Sequence, residues 1–239
     1  MKRFFTLTLM LFCFILHGFA FEFNYTDENG VTWTCWTEND DETSTVELLS
    51  ASNYGAEVVV PEKVYDGETA HTVNLLNFTF KDSEVITKVI LPKIPIGIST
   101  AFNNCYNLTE VVNSQYITKC DEAAFNHTSL TSIDLTNCKY VSGFSGCNKL
   151  KTVTLKVCET IGFCAFTDCT NLVSLGETAN VRSIGTNAFY GCESLTALDL
   201  SNCDTLENYI FYDCNSLKDI KLSKTLTIIP DYQFKGCPK

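Results

Sequence analysis

The sequence predicts a mostly-β solenoid. Parallel strands stack coil on coil, short turns or helical turns close the reverse side, and a small β cap precedes the array. Three observations predict it. A phrase recurs about every twenty-two residues: "AFTDCTNLVSL" from Ala165, "AFYGCESLTAL" from Ala188 and "IFYDCNSLKDI" from Ile210. Apolar residues hold fixed places within each copy. The L-x-x-I-x-L piece alternates as a strand with one buried face does.

The chain begins "MKRFFTLTLMLFCFILHGFA". Lys2 and Arg3 precede an apolar run from Phe4 to Leu16, and small Gly18 and Ala20 stand at −3 and −1 of a cut. Residues 1–20 therefore read as a secretory signal peptide. The run is short for a membrane anchor and is interrupted by Thr6, Thr8 and His17. Its removal takes away Lys2 and Arg3 and lowers the formal charge from −11 to −13. Such a charge disfavours nucleic acid as a partner, since phosphate binding needs clustered Lys and Arg. No second apolar run has spanning length, so the mature chain is expected to be secreted, without a membrane span.

Residues 21–75 read as the cap and lead-in segment. "FNYTDENGVTWTCW" places Asn29-Gly30 between strand-like runs, a hairpin signal. Trp33 and Trp36 are expected to supply bulk over the first coil. In the acidic "TENDDETST", Asp40, Asp41 and Glu42 lack calcium-loop spacing and read as a solvated turn.

Residues 76–239 read as the array, about seven coils with the last truncated. Phe80, Phe102, Phe125, Phe144, Phe166, Phe189, Phe211 and Phe234 mark it, at intervals of 22, 23, 19, 22, 23, 22 and 23. Six residues after Phe stand Ile86, Leu108, Leu150, Leu172, Leu195 and Leu217; Leu130 follows after five. Three further on come Val89, Val111, Ile133, Val153, Leu175, Leu198 and Ile220. Ile161, Ile184, Leu206 and Ile229 stand five before the next Phe. One coil buries too few side chains to offset the ordering of its residues, whereas stacked coils share a core. Asn113 and Glu177 occupy inward strand positions and predict bulges. No C-terminal cap is apparent.

"AFTDCTNLVSL", "SIGTNAFYGCESLTALDL" and "AFNNCYNLTEV" resemble the BspA-like, treponemal-type leucine-rich repeats. "VVVPEKVYDGETAHTVNLLNFTF" resembles that family's lead-in segment, and the resemblance runs from about residue 56 to 239. It implies an α/β-type leucine-rich repeat solenoid with its parallel strands on a concave face. It also implies a surface or secreted protein used in adhesion to host or neighbouring cells, by binding protein or glycan.

Thirteen cysteines, twelve without Cys13, suggest disulfides in a secreted chain. The columns argue for packing instead. Cys105, Cys147, Cys169, Cys192, Cys214 and Cys237 lie three after Phe. Cys138, Cys158 and Cys203 share a column with Ile117, Val181 and Leu226, and Cys120 shares one with Ile161 and Ile184. A place that accepts Ile, Val, Leu or Cys is a buried apolar place. Packing is favoured over a disulfide ladder, and both over metal or redox chemistry. Cys35 and Cys164 stand outside the columns and are read as accessible thiols.

No catalytic constellation appears. His71 and His127 lie near no nucleophile motif, and G-x-S-x-G, a phosphate-cradling glycine loop and H-E-x-x-H are lacking. No enzyme activity, cofactor or metal is expected. Asn24, Asn77, Asn107 and Asn126 head N-glycosylation sequons, at about the number chance supplies. Lys88, Glu110, Ser132, Thr152, Ser174, Ala197 and Asp219 face outward on the strands, a small mixed surface. Tyr190, Tyr209, Tyr212 and Tyr232 fall in two columns three apart, so they are expected to share a face and form a contact patch or a shield for the last coil. The favoured function is an extracellular binding or adhesion module. The alternatives are a non-adhesive structural or decoy surface antigen, and a thiol-active cysteine-rich secreted protein.

Overall fold

The computed structural model describes residues 20–38, 44–230 and 232–238. All but the last residue of the predicted signal peptide, Cys13, and the acidic Asp40, Asp41 and Glu42 lie outside the described residues. Strands β1 (Phe21–Thr26) and β2 (Thr32–Thr37) form the hairpin predicted at Asn29-Gly30. Gly30 turns at φ +82°, a conformation that costs glycine nothing. The Asp27 carboxylate organises the loop. It accepts hydrogen bonds from the Asn29 N–H (2.8 Å), the Val31 N–H (3.1 Å) and the Trp33 indole (3.0 Å).

The pleat of β2 corrects two expectations. Trp33 and Cys35 point inward and are fully buried, while Trp36 lies on the other face, half-buried. Residues three apart on a strand take opposite faces, so Trp33 alone supplies the bulk. Its ring meets Phe80 edge-on at 5.8 Å. Cys35 takes the next inward place and is not an accessible thiol.

Strand β3 (Thr45–Ser52) pairs antiparallel with β2. Strands β4 (Glu57–Val59), β5 (Lys63–Asp66) and β6 (Thr69–Asn77) follow, β5 and β6 turning at Asp66-Gly67. Parallel pairing of β3 with β6 joins the N-terminal meander to the array. The same sheet then runs through six parallel back strands: Ile96–Ser99, Ile117–Asp121, Tyr140–Val141, Thr160–Ile161, Ser183–Ile184 and Thr205–Leu206. The array is thus walled by β-structure on its reverse side as well, and the 3-10 turn Ser114–Tyr116 is its one helical segment among the described residues.

The front strands follow the L-x-x-I-x-L columns in register. Val58 of β4 pairs with Val89, and Val89 with Val111; Ser132 to Leu135 pair with Thr152 to Leu155, and Ala197 to Leu200 with Asp219 to Leu222. The front sheet breaks twice, after Val112 and after Gly176. Both breaks fall at the residues that interrupt the pattern, Asn113 (φ +65°) and Glu177 beside Gly176 (φ +70°). A buried hydroxyl one residue further bridges each gap. Ser114 Oγ accepts the Asp134 N–H at 3.1 Å, and Thr178 Oγ1 accepts the Asp199 N–H at 3.1 Å while donating to the Asp199 carbonyl at 2.9 Å.

The Phe column forms one continuous stack. Successive rings from Phe80 to Phe234 lie 5.1–5.8 Å apart and within 17° of parallel. The rings through Phe211 are buried. Backbone bonds clamp the same corner. The Phe166 N–H donates to the Ala188 carbonyl at 2.8 Å, the Asp168 N–H donates to the Tyr190 carbonyl at 2.8 Å, and neighbouring coils repeat this. The second residue after each Phe is left-handed throughout: Asp82, Asn104, His127, Gly146, Asp168, Gly191, Asp213 and Gly236. These are the residue types that tolerate φ > 0, and the requirement is written in the second x of A-F-x-x-C. Ile229, predicted to be buried, is exposed at 52%, because no further coil lies over this last described one.

The twelve described cysteines are unpaired, and all but Cys164 and Cys237 are buried. The corner slot is small and buried, as predicted, but not wholly apolar. Each corner thiol donates to the carbonyl of the stacked Phe one coil earlier: Cys105 to Phe80, Cys147 to Phe125, Cys169 to Phe144, Cys192 to Phe166, Cys214 to Phe189 and Cys237 to Phe211, at 3.0–3.2 Å. Ser83 and Thr128, also three after Phe, mark the same slot in the other two coils, and both are small residues with a donor.

Burial pushes the Cys35, Cys138, Cys158 and Cys214 thiols up to about 12 and Cys105 to about 11, from an ordinary 9.0. An acid whose folded pKa is raised stays protonated in the fold while the unfolded chain ionises above 9. The stabilisation is therefore complete below pH 9 and lost as pH rises toward 12. Denaturant unfolding monitored from pH 8 to 11 is expected to show a steep fall beginning near pH 9; a flat profile would remove the thiols from the account.

Two further outcomes follow from the stack and the slots. Phe166→Ala leaves a ring-sized cavity between two stacked rings and is expected to cost about 3–5 kcal/mol in guanidinium unfolding. A loss under about 1 kcal/mol would contradict the stack's role. Alkylation of the native protein, read by mass spectrometry, is expected to label Cys164 and Cys237 and to leave Cys35 and the corner thiols unlabelled until denaturation.

Candidate binding surface

The four tyrosines singled out by column are in mutual contact. Tyr190 and Tyr212 directly follow stacked phenylalanines, and their rings lie 4.9 Å apart and 7° from parallel. Tyr209 and Tyr232 precede theirs by two and stack at 5.7 Å and 9°. Tyr209 and Tyr212 join the pairs at 6.3 Å. The turn two residues before Phe is left-handed in most coils, at Phe78, Thr100, Cys164, Asn187, Tyr209 and Tyr232. Asn suits that conformation; a tyrosine there is an outlier that packing within the fold does not require. Tyr209 is 40% and Tyr232 57% exposed, and Tyr190 and Tyr212 are half-buried beneath them.

Sequence reasoning missed Lys235. Its ammonium lies 5.2 Å from the Tyr212 ring centroid and 5.8 Å from that of Tyr232, within cation–π range. The signal was its place, one after Phe234, in the column that holds Tyr190 and Tyr212. The same column carries Lys81, whose ammonium sits 5.9 Å from the exposed Phe78 ring at the other end of the array.

The front sheet face is less available. Lys88 lies between Glu57 (3.4 Å) and Glu110 (3.9 Å) on neighbouring strands, and Lys221 pairs with Asp199 at 2.6 Å. The Lys221 ammonium, helped by Ser201, holds the Asp199 carboxyl down at about 2. Ser132, Thr152, Ser174, Ala197 and Asp219 face solvent as predicted. On the back, Lys139 pairs with Glu159 at 3.3 Å and Arg182 with Asp204 at 3.7 Å, another column whose signs alternate coil by coil.

The remaining sequence candidates are scattered. Asn24 and Asn107 are exposed; the Asn107 amide donates to the Glu84 carbonyl at 2.8 Å. Asn126 is half-buried and accepts the Ser145 N–H at 2.8 Å. Asn77 lies on β6 with its Oδ1 buried and unpartnered. His71 is buried in the N-terminal sheet, its Nδ1 2.9 Å from Ser44 Oγ, while His127 is exposed at the corner turn. His71 Nε2 is buried without a hydrogen-bond partner among the described residues, so no acid orients the ring against Ser44. Among the described residues no cluster of His, Cys, Asp or Glu has the arrangement of a metal site, and no helix is long and apolar enough to cross a membrane.

Comparison with solved structures gives several matches. The pneumococcal vaccine antigen PcpA matches at a TM-score of 0.56 and 19% identity, over 85% of this chain and 71% of that one. A Treponema pallidum leucine-rich repeat protein matches at 0.42 and 23%, over 63% and 83%. A leucine-rich cell surface protein of Faecalibacterium prausnitzii matches at 0.30 and 16%, over 90% and 92%. Comparison with curated proteins gives no match. The family model for the BspA type leucine-rich repeat region matches in six copies over residues 73–157 and 140–239. With more than half of its length so matched, the chain belongs to the BspA type leucine-rich repeat family.

Proposed function

We propose that the mature chain is an extracellular binding module and that the cluster of Tyr190, Tyr209, Tyr212, Tyr232 and Lys235 is its contact surface. The observation that carries this reading is the continuity of the cluster. Five side chains from three successive coils form one aromatic and cationic surface, with its outer rings in solvent. Tyrosine suits contact, since its ring gives area at low entropic cost and its hydroxyl tolerates water. Lysine over the rings adds one positive charge to a strongly acidic chain. The signal-like N-terminus and the family, whose members include surface proteins, support an extracellular setting. The partner class is a protein or glycan on a host or neighbouring cell surface. N-glycosylation, if the source cell performs it, is proposed at Asn24 and Asn107, whose side chains reach solvent.

A second reading has its own observation. Phe234 is more exposed than the other stacked phenylalanines, and the tyrosines flank it, so they serve to shield the last coil. Changing Tyr190 and Tyr212 together to Ser separates the two. Contact predicts an unchanged melting temperature and at least about tenfold weaker attachment to cells or to a purified surface molecule, the loss typical of hot-spot aromatics. Shielding predicts a melting temperature lower by several degrees and fraying near Phe234 in hydrogen exchange. Attachment and stability that both stay at the parent level would remove the cluster from either role and favour the structural or decoy antigen.

A further inference from the structure

A second feature lies away from the tyrosines, at the short coil. Nineteen residues separate Phe125 from Phe144, where other coils use 22 or 23. The shortage falls in part between back strand and Phe. Val141 precedes Phe144 by three residues, whereas Ile161 and Ile184 precede Phe166 and Phe189 by five. A cavity of about 370 Å3 opens at this place, walled by three successive coils. Asp121 and Glu122 come from the first, Tyr140 from the short coil, and Phe163 and Cys164 from the third.

The chemistry of the walls is specific. Phe163 is 66% exposed and, like Phe78 at 50%, stands outside the buried stack. Tyr140 offers a second ring and a hydroxyl. Asp121 is already paired with Lys119 at 2.5 Å. Glu122 accepts the Thr100 hydroxyl at 3.4 Å and has the Lys119 ammonium in common with Asp121, so two carboxylates share one lysine. Aromatic faces beside a carboxylate pair that one lysine only half neutralises favour an organic cation.

The array itself supplies an independent precedent. At the same corner of two other coils an exposed aromatic holds a lysine of the chain: Lys81 at Phe78, and Lys235 at Tyr212 and Tyr232. Those lysines stand one residue after the stacked Phe. Around the cavity that place is filled by Asn126, Ser145 and Thr167, all uncharged. This corner has the rings and the acids, but its lysine, Lys119, is turned to Asp121 at 2.5 Å, and among the described residues no lysine lies over the Tyr140 or Phe163 ring.

We propose that the cavity at Tyr140 and Phe163 takes a lysine or arginine side chain of a partner protein, its cation lying over the rings and against Glu122. The formal charge of −11 steers basic partners toward the chain. The site does not depend on the tyrosine cluster, and a failure of either leaves the other standing.

Cys164 at the rim supplies the readout. The mature chain is treated with iodoacetamide, and the alkylation rates of Cys164 and Cys237 are followed by mass spectrometry with and without a triarginine peptide. The expected result is roughly fivefold slowing at Cys164 and none at Cys237. Glu122→Gln and Phe163→Ser, both changes at exposed side chains, are each expected to abolish the slowing at an unchanged melting temperature. Glu193→Gln, on another coil, is expected to keep it. Unslowed Cys164 in the parent chain would overturn the proposal. Equal loss in Glu193→Gln would do so in favour of diffuse attraction, and slowing by calcium chloride alone would do so in favour of a metal.

Discussion

Ring stacking along the Phe column is the constraint on which the rest of the structure depends. A ring has to return over its predecessor at 5.1–5.8 Å on every turn of the chain, and each coil is as long as that return demands. The lengths vary from 19 to 23 residues, yet the short coil keeps its rings at 5.2 and 5.5 Å. The chain absorbs the difference where the stack does not reach, between Phe125 and Leu130 and in the loop before Phe144. Backbone bonds from Phe and from the left-handed residue two places on fasten the same corner. Sheet pairing, the buried columns and the exposed corner side chains all take their positions from it.

Cysteine in this frame is a packing residue with a donor. The slot three after Phe is walled by the ring stack and faces a carbonyl that already accepts one backbone N–H. Cys169 N–H and Cys192 Sγ–H share the Phe166 carbonyl, at 3.1 Å each. Serine and threonine fill the same slot with a different bond: the Ser83 hydroxyl accepts the Ile86 N–H at 3.3 Å, and the Thr128 hydroxyl lies 3.3 Å from Cys147 Sγ. The arrangement also suppresses thiol chemistry. Only the thiolate reacts, and burial raises the cost of forming it, so a chain with twelve described cysteines presents two that solvent reaches. That weakens the reading of the protein as thiol-active without appeal to its redox surroundings.

Much of this was legible from the period alone. Once the Phe positions are aligned, the buried columns, the front-strand register and an interruption at Asn113 and Glu177 follow, because each column samples one environment several times; that the interruption is a break of the sheet rather than a bulge does not. Features that occur once were not legible in that way. Cys35 and Trp36 belong to no repeat, and which of them faces inward depends on the pleat of β2, which a one-residue slip reverses. The back sheet was obscured because its strands are often two residues long, below the length at which alternation can be counted. The tyrosine cluster was readable as two columns three apart. The cavity at Phe163 was not, since it depends on where three missing residues are taken out of a coil.

The same contrast bears on where binding can evolve on such an array. On both sheet faces several charges are committed to neighbours, in Lys88 with Glu57 and Glu110, Lys221 with Asp199, Lys139 with Glu159, and Arg182 with Asp204. Exposed pairs of this kind are worth about 0–1 kcal/mol each, but repeated coil by coil they hold side chains to cross-coil partners. At the Phe corner the backbone and the rings already fasten neighbouring coils, and the side chains just before and after Phe add contacts that differ from coil to coil, such as the Thr167 hydroxyl donating to the Asn187 carbonyl at 2.8 Å and the stacked Tyr190 and Tyr212. Those places vary from Asn and Thr through Cys to Tyr and Lys with no change in the stack beneath. Recognition is expected to concentrate there, because that corner combines a fixed backbone with side chains that change in kind from coil to coil.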